Sequence, residues 1–197
     1  MEDRAIVHKI LSGDLNAFET IVNSNQKLVA HVVFKMVRQA ADREEVCQDV
    51  FIKVYENLKS FQFNSKLSTW IARIAYNSCL NYLQKKKLPL YNDVPTTYDE
   101  NEPISDGFSE NIWGSSPGPE DALMRGQVSE YLKTEIGQLP VQYRTIITLY
   151  HLDEMNYQEI GQVLNLPEGT VKSYLFRARK MLKDKLLEKY KEEELIS

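Results

Sequence analysis

The chain has only 2 cysteines in 197 residues, Cys47 and Cys79. Two thiols make neither a disulfide framework nor, unaided, a four-ligand zinc site. Both fall inside apolar helical patterns, where a free cysteine acts as a small buried hydrophobe. Histidine is as scarce: His8, His31 and His151 have no metal-ligand spacing to one another. No apolar run approaches the ~20 residues that cross a bilayer. The first residues lead straight into a polar helix without a hydrophobic signal region. Strand-like alternation of useful length is missing too. These lacks point to an all-helical, reduced, cytoplasmic protein with no metal, no cofactor and no membrane insertion.

Positive charge is missing from one long stretch. Residues 89–120 hold no Lys or Arg and 7 acids. Residues 1–88 carry 13 basic against 9 acidic residues, and Thr170 to Lys191 carries 8 against 2. A net charge of −4 taken alone argues against a nucleic-acid partner. Its distribution, with cations gathered in two places, argues for one.

The organisation is two helical blocks. In the first, Glu2 to Leu11 is a short amphipathic helix stopped by Ser12-Gly13-Asp14. Asn16, with Glu19 three residues on, is placed to cap a second helix, and Asp42 with Glu45 to cap a third that runs to about Lys59. A fourth begins near Ser68 or Thr69 and reaches Lys87. Residues 89–119 are rich in Pro, Gly, Ser, Asn and Asp, lose all helical period, and read as an acidic flexible linker. Glu120 to Gly137 and Val141 to His151 open the second block, and residues 191–197 form a tail. The expected domains are therefore 1–88 and 120–190.

The densest information lies in NYQEIGQVLNLPEGTVKSYLFRARKMLK, residues 156–183. Asn156 and Glu159 form a capping-box pair at the start of a short helix, and Ile160, Val163 and Leu164 make its apolar face. Asn165 to Gly169 breaks it, and a second helix starts near Thr170. Val171, Leu175, Ala178, Leu182 and Leu186 recur at inward-facing spacing. The opposite face carries Ser173, Phe176, Arg177, Lys180 and Lys183, flanked by Lys172 and Arg179. Phe176 projects from the apolar stripe among cations. That combination suits a helix that reads base edges and holds phosphates. A solvated amphipathic helix with one stray Phe is the bland alternative. The capped helix and turn before it favour a helix-turn-helix DNA reader.

Two features of the first block need partners. The third helix buries Val46, Val50 and Val54, yet its far side sets Ile52 among Glu45, Gln48, Asp49 and Glu56. An apolar centre with a polar rim suits a protein contact, and a solvated face with one tolerated Ile weighs equally. Next, Phe61, Phe63, Trp70, Tyr76 and Tyr82 alternate with Lys59, Lys66, Arg73 and Lys85 to Lys87. Aromatics interleaved with cations suit single-stranded nucleic acid. Asn64, Ser65, Asn77 and Asn81 are placed to read an unstacked base. Trp70, Ile71, Ile74 and Ala75 also fit a core stripe.

Taken in order, these segments resemble a bacterial extracytoplasmic-function (group 4) sigma factor of the sigma-70 family. GDLNAFETIV is similar to the start of region 2 of that family, and ADREEVCQDVFIKVYENLKSF to its D-A-E-D-x-x-Q-E-x-F-x-x-x-W segment. STWIARIAYNSCLNYLQKKK resembles the promoter-melting segment, and residues 139–182 resemble region 4. The resemblance implies an all-α fold of two domains, region 2 and a region 4 helix-turn-helix. It implies a non-enzymatic subunit that binds core RNA polymerase at the β′ clamp and β flap. Glu45, Gln48, Asp49, Phe51 and Ile52 would touch the core enzyme. Asn64, Ser65, Lys66, Trp70, Arg73, Asn77 and Asn81 would hold single-stranded −10 DNA. Thr170, Lys172, Ser173, Phe176, Arg177 and Lys180 would read the duplex −35 element. The linker would thread toward the polymerase cleft, and an anti-sigma factor would be the regulator.

Some positions depart from the family pattern. Asn81 stands where many members have Asp, Gln84 and Tyr174 where many have Arg, Tyr55 for Trp and Gly161 for Ala. A freestanding helix-turn-helix regulator is the main alternative, but it has no use for the aromatic and basic segment 59–87. A recombinase-type enzyme would need catalytic groups, and no carboxylate cluster or Arg-flanked Tyr or Ser offers them.

Overall fold

Helix α1 (Glu2–Leu11) turns at Gly13, whose φ of +104° suits a residue without Cβ, into α2 (Asn16–Met36). Helix α3 (Ala40–Asn57) ends in a 3-10 turn (Leu58–Ser60), and α4 (Leu67–Lys87) follows. The computed structural model describes residues 2–87 and 131–189. The expected linker, most of the helix expected from Glu120, and the tail lie outside the described residues. The second block contains α5 (residues 131–137), α6 (Val141–His151), α7 (Tyr157–Leu164) and α8 (Glu168–Lys189). Among the described residues there is no strand.

Each block closes around its own apolar residues. In the first, α4 packs on α2 and α3, which also pack on each other, burying Val29, Val33, Val50, Val54, Ile71 and Ala75. In the second, α8 packs on α6 and α7 over Ile146, Leu149, Ile160, Val171, Leu175 and Ala178. The blocks also meet: α4 lies against α7, and α2 against α6.

Helix starts differ from expectation at three places. Asp14, not Asn16, supplies the oxygen at the start of α2: its Oδ1 accepts from the backbone N–H of Asn16 at 3.1 Å and Ala17 at 3.3 Å. Asn16 is already inside the helix, so its side chain is past the point where it could cap. Asp42 sits within the first turn of α3, where its carboxylate accepts from the Tyr82 hydroxyl and the Lys86 ammonium of α4. Those contacts hold the Asp42 carboxyl below its ordinary value, the hydrogen bond from Lys86 first. Helix α8 begins at Glu168, two residues early, because the Pro167 carbonyl already accepts from the N–H of Thr170 and Val171.

The α7–α8 turn follows the sequence closely. Asn156 Oδ1 accepts from the Glu159 N–H and Glu159 Oε2 from the Asn156 N–H, both at 2.9 Å. Asn165 ends α7 in the left-handed region (φ 55°, ψ 48°), which Asn tolerates better than most residues. The chain then doubles back so that the Leu166 N–H reaches the Gly161 carbonyl at 3.0 Å. A Cβ on Gly161 would lie 2.7 Å from the Leu166 carbonyl oxygen. Glycine is therefore a packing requirement here.

Helix propensity alone makes Gly→Ala favourable by ~1 kcal/mol. Overpacking against backbone opposes it by about 1–3 kcal/mol. Gly161→Ala is expected to lower the midpoint of thermal unfolding followed by circular dichroism, and a raised midpoint would refute the tight approach.

Candidate nucleic-acid interface

Helix α8 is fixed from below by Val171, Leu175 and Ala178, all buried, so its other face must point away from the protein. Phe176 sits there at 70 % exposure, with Ser173, Arg177 and Lys180 also exposed. That exposure removes the reading of Phe176 as a stray ring covered by a neighbouring element. Lys172 belongs to the same exposed surface and is paired with Glu168 at 2.7 Å. Thr170 is half-buried at the entrance of the helix. Arg179 turns away instead: it lies 5.0 Å from the centre of the Tyr150 ring and 3.2 Å from His151 Nε2. Tyr174 is half-buried and meets Tyr143 edge-on at 5.6 Å. It thus belongs to the packing of the second block and is not a cation substitute.

The first block presents a different kind of surface. Between the 3-10 turn and the start of α4 lies a pocket of about 290 Å³, lined among others by Gln62, Asn64, Ser65, Thr69, Trp70 and Arg73. Its size and amide, hydroxyl and guanidinium lining suit one unstacked base. Trp70 departs from the sequence expectation of a base-stacking ring. It is 8 % exposed and packed at 5.1 Å on Phe61, so its body belongs to the core and only a margin reaches the pocket. Arg73, Asn77 and Asn81 form an exposed stripe at i, i+4 and i+8 along α4. That spacing carries Asn81 about 12 Å beyond Arg73, outside the pocket.

On α3, Glu45, Gln48, Asp49 and Ile52 share one exposed face, with Ile52 56 % exposed and Tyr55 beside it at 45 %. Phe51 leaves this group: it is half-buried and packs on the core. The helical turn that exposes Ile52 rotates its neighbour inward. Burial pushes the Cys47 and Cys79 thiols up to about 11 and about 12, which disfavours the reactive thiolate.

Two contacts between the blocks had no signal in the sequence. Lys66 Nζ, next in the chain to the pocket residue Ser65, is 2.8 Å from Glu159 Oε1 on α7. Burial raises the Glu159 carboxyl, but the hydrogen bonds from Lys66 and the Asn156 backbone outweigh it and hold the group below its ordinary value. His31 Nδ1, on α2, is 2.7 Å from Asp153 Oδ1 in the α6–α7 turn, both side chains 8 % exposed. Burial raises the Asp153 carboxyl despite the opposing pull of His31. Each pair joins residues more than ninety positions apart, so neither periodicity nor a local motif reveals it.

Comparison with known proteins identifies the family of both blocks. Residues 21–88 match the family model of sigma-70 region 2, and residues 129–182 that of sigma-70 region 4. The chain is 33 % identical over 185 residues to the ECF RNA polymerase sigma factor SigW of Bacillus subtilis, covering 91 % of this chain and 94 % of that one. It is 33 % identical over 187 residues to the ECF RNA polymerase sigma-E factor of Escherichia coli K12, covering 94 % and 95 %. The chain belongs to the ECF sigma factors of RNA polymerase. Its fold resembles that of the sigma factor RpoE of Bartonella quintana, solved with the anti-sigma factor NepR, at TM-score 0.66, 18 % identity and coverage of 89 % and 100 %. It also resembles CnrH, solved with the cytosolic domain of CnrY, at TM-score 0.63, 22 % identity and coverage of 95 % and 99 %. Membership sets this ECF factor among regulatory initiation factors and disfavours the freestanding regulator.

Exposure separates surface residues from structural ones. Trp70→Ala is expected to destabilise the first block by about 3–5 kcal/mol, and Phe176→Ala to stay within about 0.5 kcal/mol of wild type. Urea unfolding curves of the two variants test both values. A large loss for Phe176→Ala would mean that the ring is structural.

Proposed function

We propose that this ECF sigma factor, of the group 4 type, directs core RNA polymerase to promoters by reading duplex −35 DNA with α8 and single-stranded −10 DNA with the start of α4. The observation that carries the reading is the presence, on one chain, of two DNA-suited surfaces of different kinds. One is an exposed Phe176 among cations on a helix-turn-helix, and the other a polar pocket of about 290 Å³ with Arg73 in its wall. A regulator that reads only duplex DNA has no use for the second.

The roles follow from the chemistry of each surface. Arg177 and Lys180 donate to guanine edges or phosphates, Phe176 meets a thymine methyl, and Lys172, Ser173 and Thr170 hold the backbone at the helix entrance. In the first block, Asn64 and Ser65 hydrogen-bond an extruded base, and Lys66, Arg73, Asn77 and Asn81 follow the strand. Capturing bases outside the stack offsets the free energy of unpairing them, so opening is driven by binding. The Glu45, Gln48, Asp49 and Ile52 face docks on the β′ clamp, with Phe51 supporting it from beneath. Residues 1–88 and 120–190 act as the two modules, the second also meeting the β flap. The chain works in the cytoplasm; no helix among the described residues is long and apolar enough to cross a membrane. The structure of RpoE solved with the anti-sigma factor NepR supports a similar regulator for this chain.

Run-off transcription on fragmented genomic DNA, with core polymerase alone and with the added protein, tests the reading. New discrete start sites preceded by two spaced elements are expected only with the protein. Unchanged start sites, with duplex binding by the protein alone, would return the freestanding regulator. On a mapped promoter, Phe176→Ala and Arg177→Ala are each expected to reduce −35 discrimination by about 1–3 kcal/mol. Asp49→Lys should instead weaken association with core polymerase in a titration while leaving duplex contacts intact. Unchanged core affinity would remove the assignment of that face.

A further inference from the structure

The base-sized pocket is walled by a stretch of chain with no regular structure of its own. Residues 61–66 join the 3-10 turn to α4 without helix or strand, and Phe61, Gln62, Asn64 and Ser65 line the pocket. Such a segment is fixed by what it leans on. Asn64 Nδ2 donates to Gln62 Oε1 at 3.3 Å, and Ser65 Oγ to the Lys66 carbonyl at 3.3 Å. Both bonds are exposed and stay inside the segment, so neither ties it to the body of the protein. Phe63, at its centre, has a φ of +58°. A bulky side chain takes that left-handed backbone only where its surroundings constrain it. Its ring meets Phe61 at 4.6 Å, and Phe61 in turn lies 5.1 Å from Trp70.

Further constraint comes from α1, at the other end of the block. Asp3 Oδ2 accepts from the backbone N–H of Leu67, the first residue of α4, at 3.2 Å. The first N–H groups of a helix have no partner within it, and a Ser, Thr, Asp or Asn just before the helix usually supplies one. Lys66 stands there in this chain, and its side chain can only donate. Asp3 thus acts as a cap from 64 residues away. One residue on, the Arg4 guanidinium lies 5.1 Å from the centre of the Phe63 ring. The two contacts bracket Asn64, Ser65 and Lys66, one at each end. Helix α1 is itself anchored by the buried Val7 and Ile10, packs on α2 and touches the 3-10 turn. Asp3 and Arg4 are exposed, so the apolar core does not depend on them. Residues 2–11 also precede the span 21–88 that matches sigma-70 region 2.

We propose that α1 braces the base-reading segment, with Asp3 and Arg4 as positioning residues that hold Asn64 and Ser65 at the pocket and so set how sharply one base is told from another. The proposal rests on the reading of that pocket as the −10 site. Hydrogen bonds to an extruded base discriminate only when the donors and acceptors are held in place beforehand. A loosened segment lets the Asn64 amide shift to suit a wrong base, while the cations that follow the strand keep their attraction for any sequence. Neither Asp3 nor Arg4 lines the pocket, so each acts through the backbone or ring that it holds. Their charges are opposite, and the brace therefore adds no net field to the DNA-reading surface.

The double variant Asp3→Ala/Arg4→Ala removes both contacts and leaves the net charge unchanged. Asp3→Asn is the conservative partner, because an Asn oxygen caps a helix as well as an Asp one. Circular dichroism checks that helix content is kept. Run-off transcription by the full chain with core polymerase is then compared on a mapped promoter and on copies substituted at single −10 and −35 positions. The double variant is expected to lose about fivefold in discrimination at a −10 position, the scale of one lost cap. Its −35 discrimination should stay at the wild-type level, and Asp3→Asn should match wild type at both elements. Wild-type −10 discrimination in the double variant, or an equal loss at both elements, would overturn the brace. Amide hydrogen exchange of the free full chain, followed by mass spectrometry, reads the same contacts without DNA. Exchange across residues 61–67 is expected to quicken in the double variant and not in Asp3→Asn, and unchanged exchange would also overturn the brace. Failure of the sigma reading has a separate signature, the absence of new start sites with the wild-type chain, and leaves the exchange comparison decisive for whether α1 holds the segment.

Discussion

Helix α4 is the constraint on which the rest depends. One side packs on α2 and α3 through Ile71, Ala75 and other buried residues, and another side meets α7. Only a narrow strip is left to solvent, and that strip carries Arg73, Asn77 and Asn81. A helix held on two sides cannot rotate without unpacking both cores, so its polar strip is fixed relative to the pocket at its start. Lys53 reaching Ser78 at 3.1 Å, and Asp42 holding Tyr82 and Lys86, tie the far half of α4 to α3. The strip proposed to face DNA and the Ile52 face of α3 are therefore parts of one packed unit.

The second block solves a different problem, the aiming of α8. Three local devices fix the angle between α7 and α8: the capping box at Asn156, the left-handed Asn165 and the glycine at 161. Each acts on backbone, so the angle does not rely on side-chain packing alone. The buried stripe of Val171, Leu175 and Ala178 then sets the rotation of α8 about its axis. Phe176 is exposed because that rotation turns its position away from the core. A single exposed aromatic costs the fold little, and one held rigidly among cations is preorganised for a ligand.

Much of this was legible in the sequence because it is local. Helical periodicity gives α1, α2, α3, α6 and α8 within a few residues, and the Asn156–Glu159 spacing gives the capping box as observed. The exposed face of α3 and the outward Phe176 also follow from period alone. What period cannot decide is which of several good caps is used. At α2 the three-residue turn delivers Asp14 to the helix end before Asn16 can act, and at α3 a tertiary demand from Tyr82 and Lys86 claims Asp42. Trp70 and Phe51 illustrate the same limit. Each lies on the boundary between an inward and an outward face, and packing against Phe61 or the core decides the direction. The pairs across the seam were wholly illegible. Nothing about an isolated His31 or Asp153 announces a partner more than a hundred residues away.

Charge pairing also tempers the positive field over the surfaces proposed to read DNA. Lys66, Lys86 and Lys172 all belong to the cationic regions singled out by composition, and all three are paired with carboxylates in the structure. Their partners are Glu159 on α7, Asp42 on α3 and Glu168 on α8, and only the last shares a helix with its lysine. Exposed pairs of this kind are worth little, up to ~1 kcal/mol each, and salt weakens them further. They are too weak to prevent a correctly placed phosphate from replacing the carboxylate. They are enough to lower the positive field that draws in random duplex, an effect that scales with the number of cations released to phosphate. Arg177 and Lys180 lie outside these pairs, so α8 keeps a net positive charge on the face proposed to read sequence.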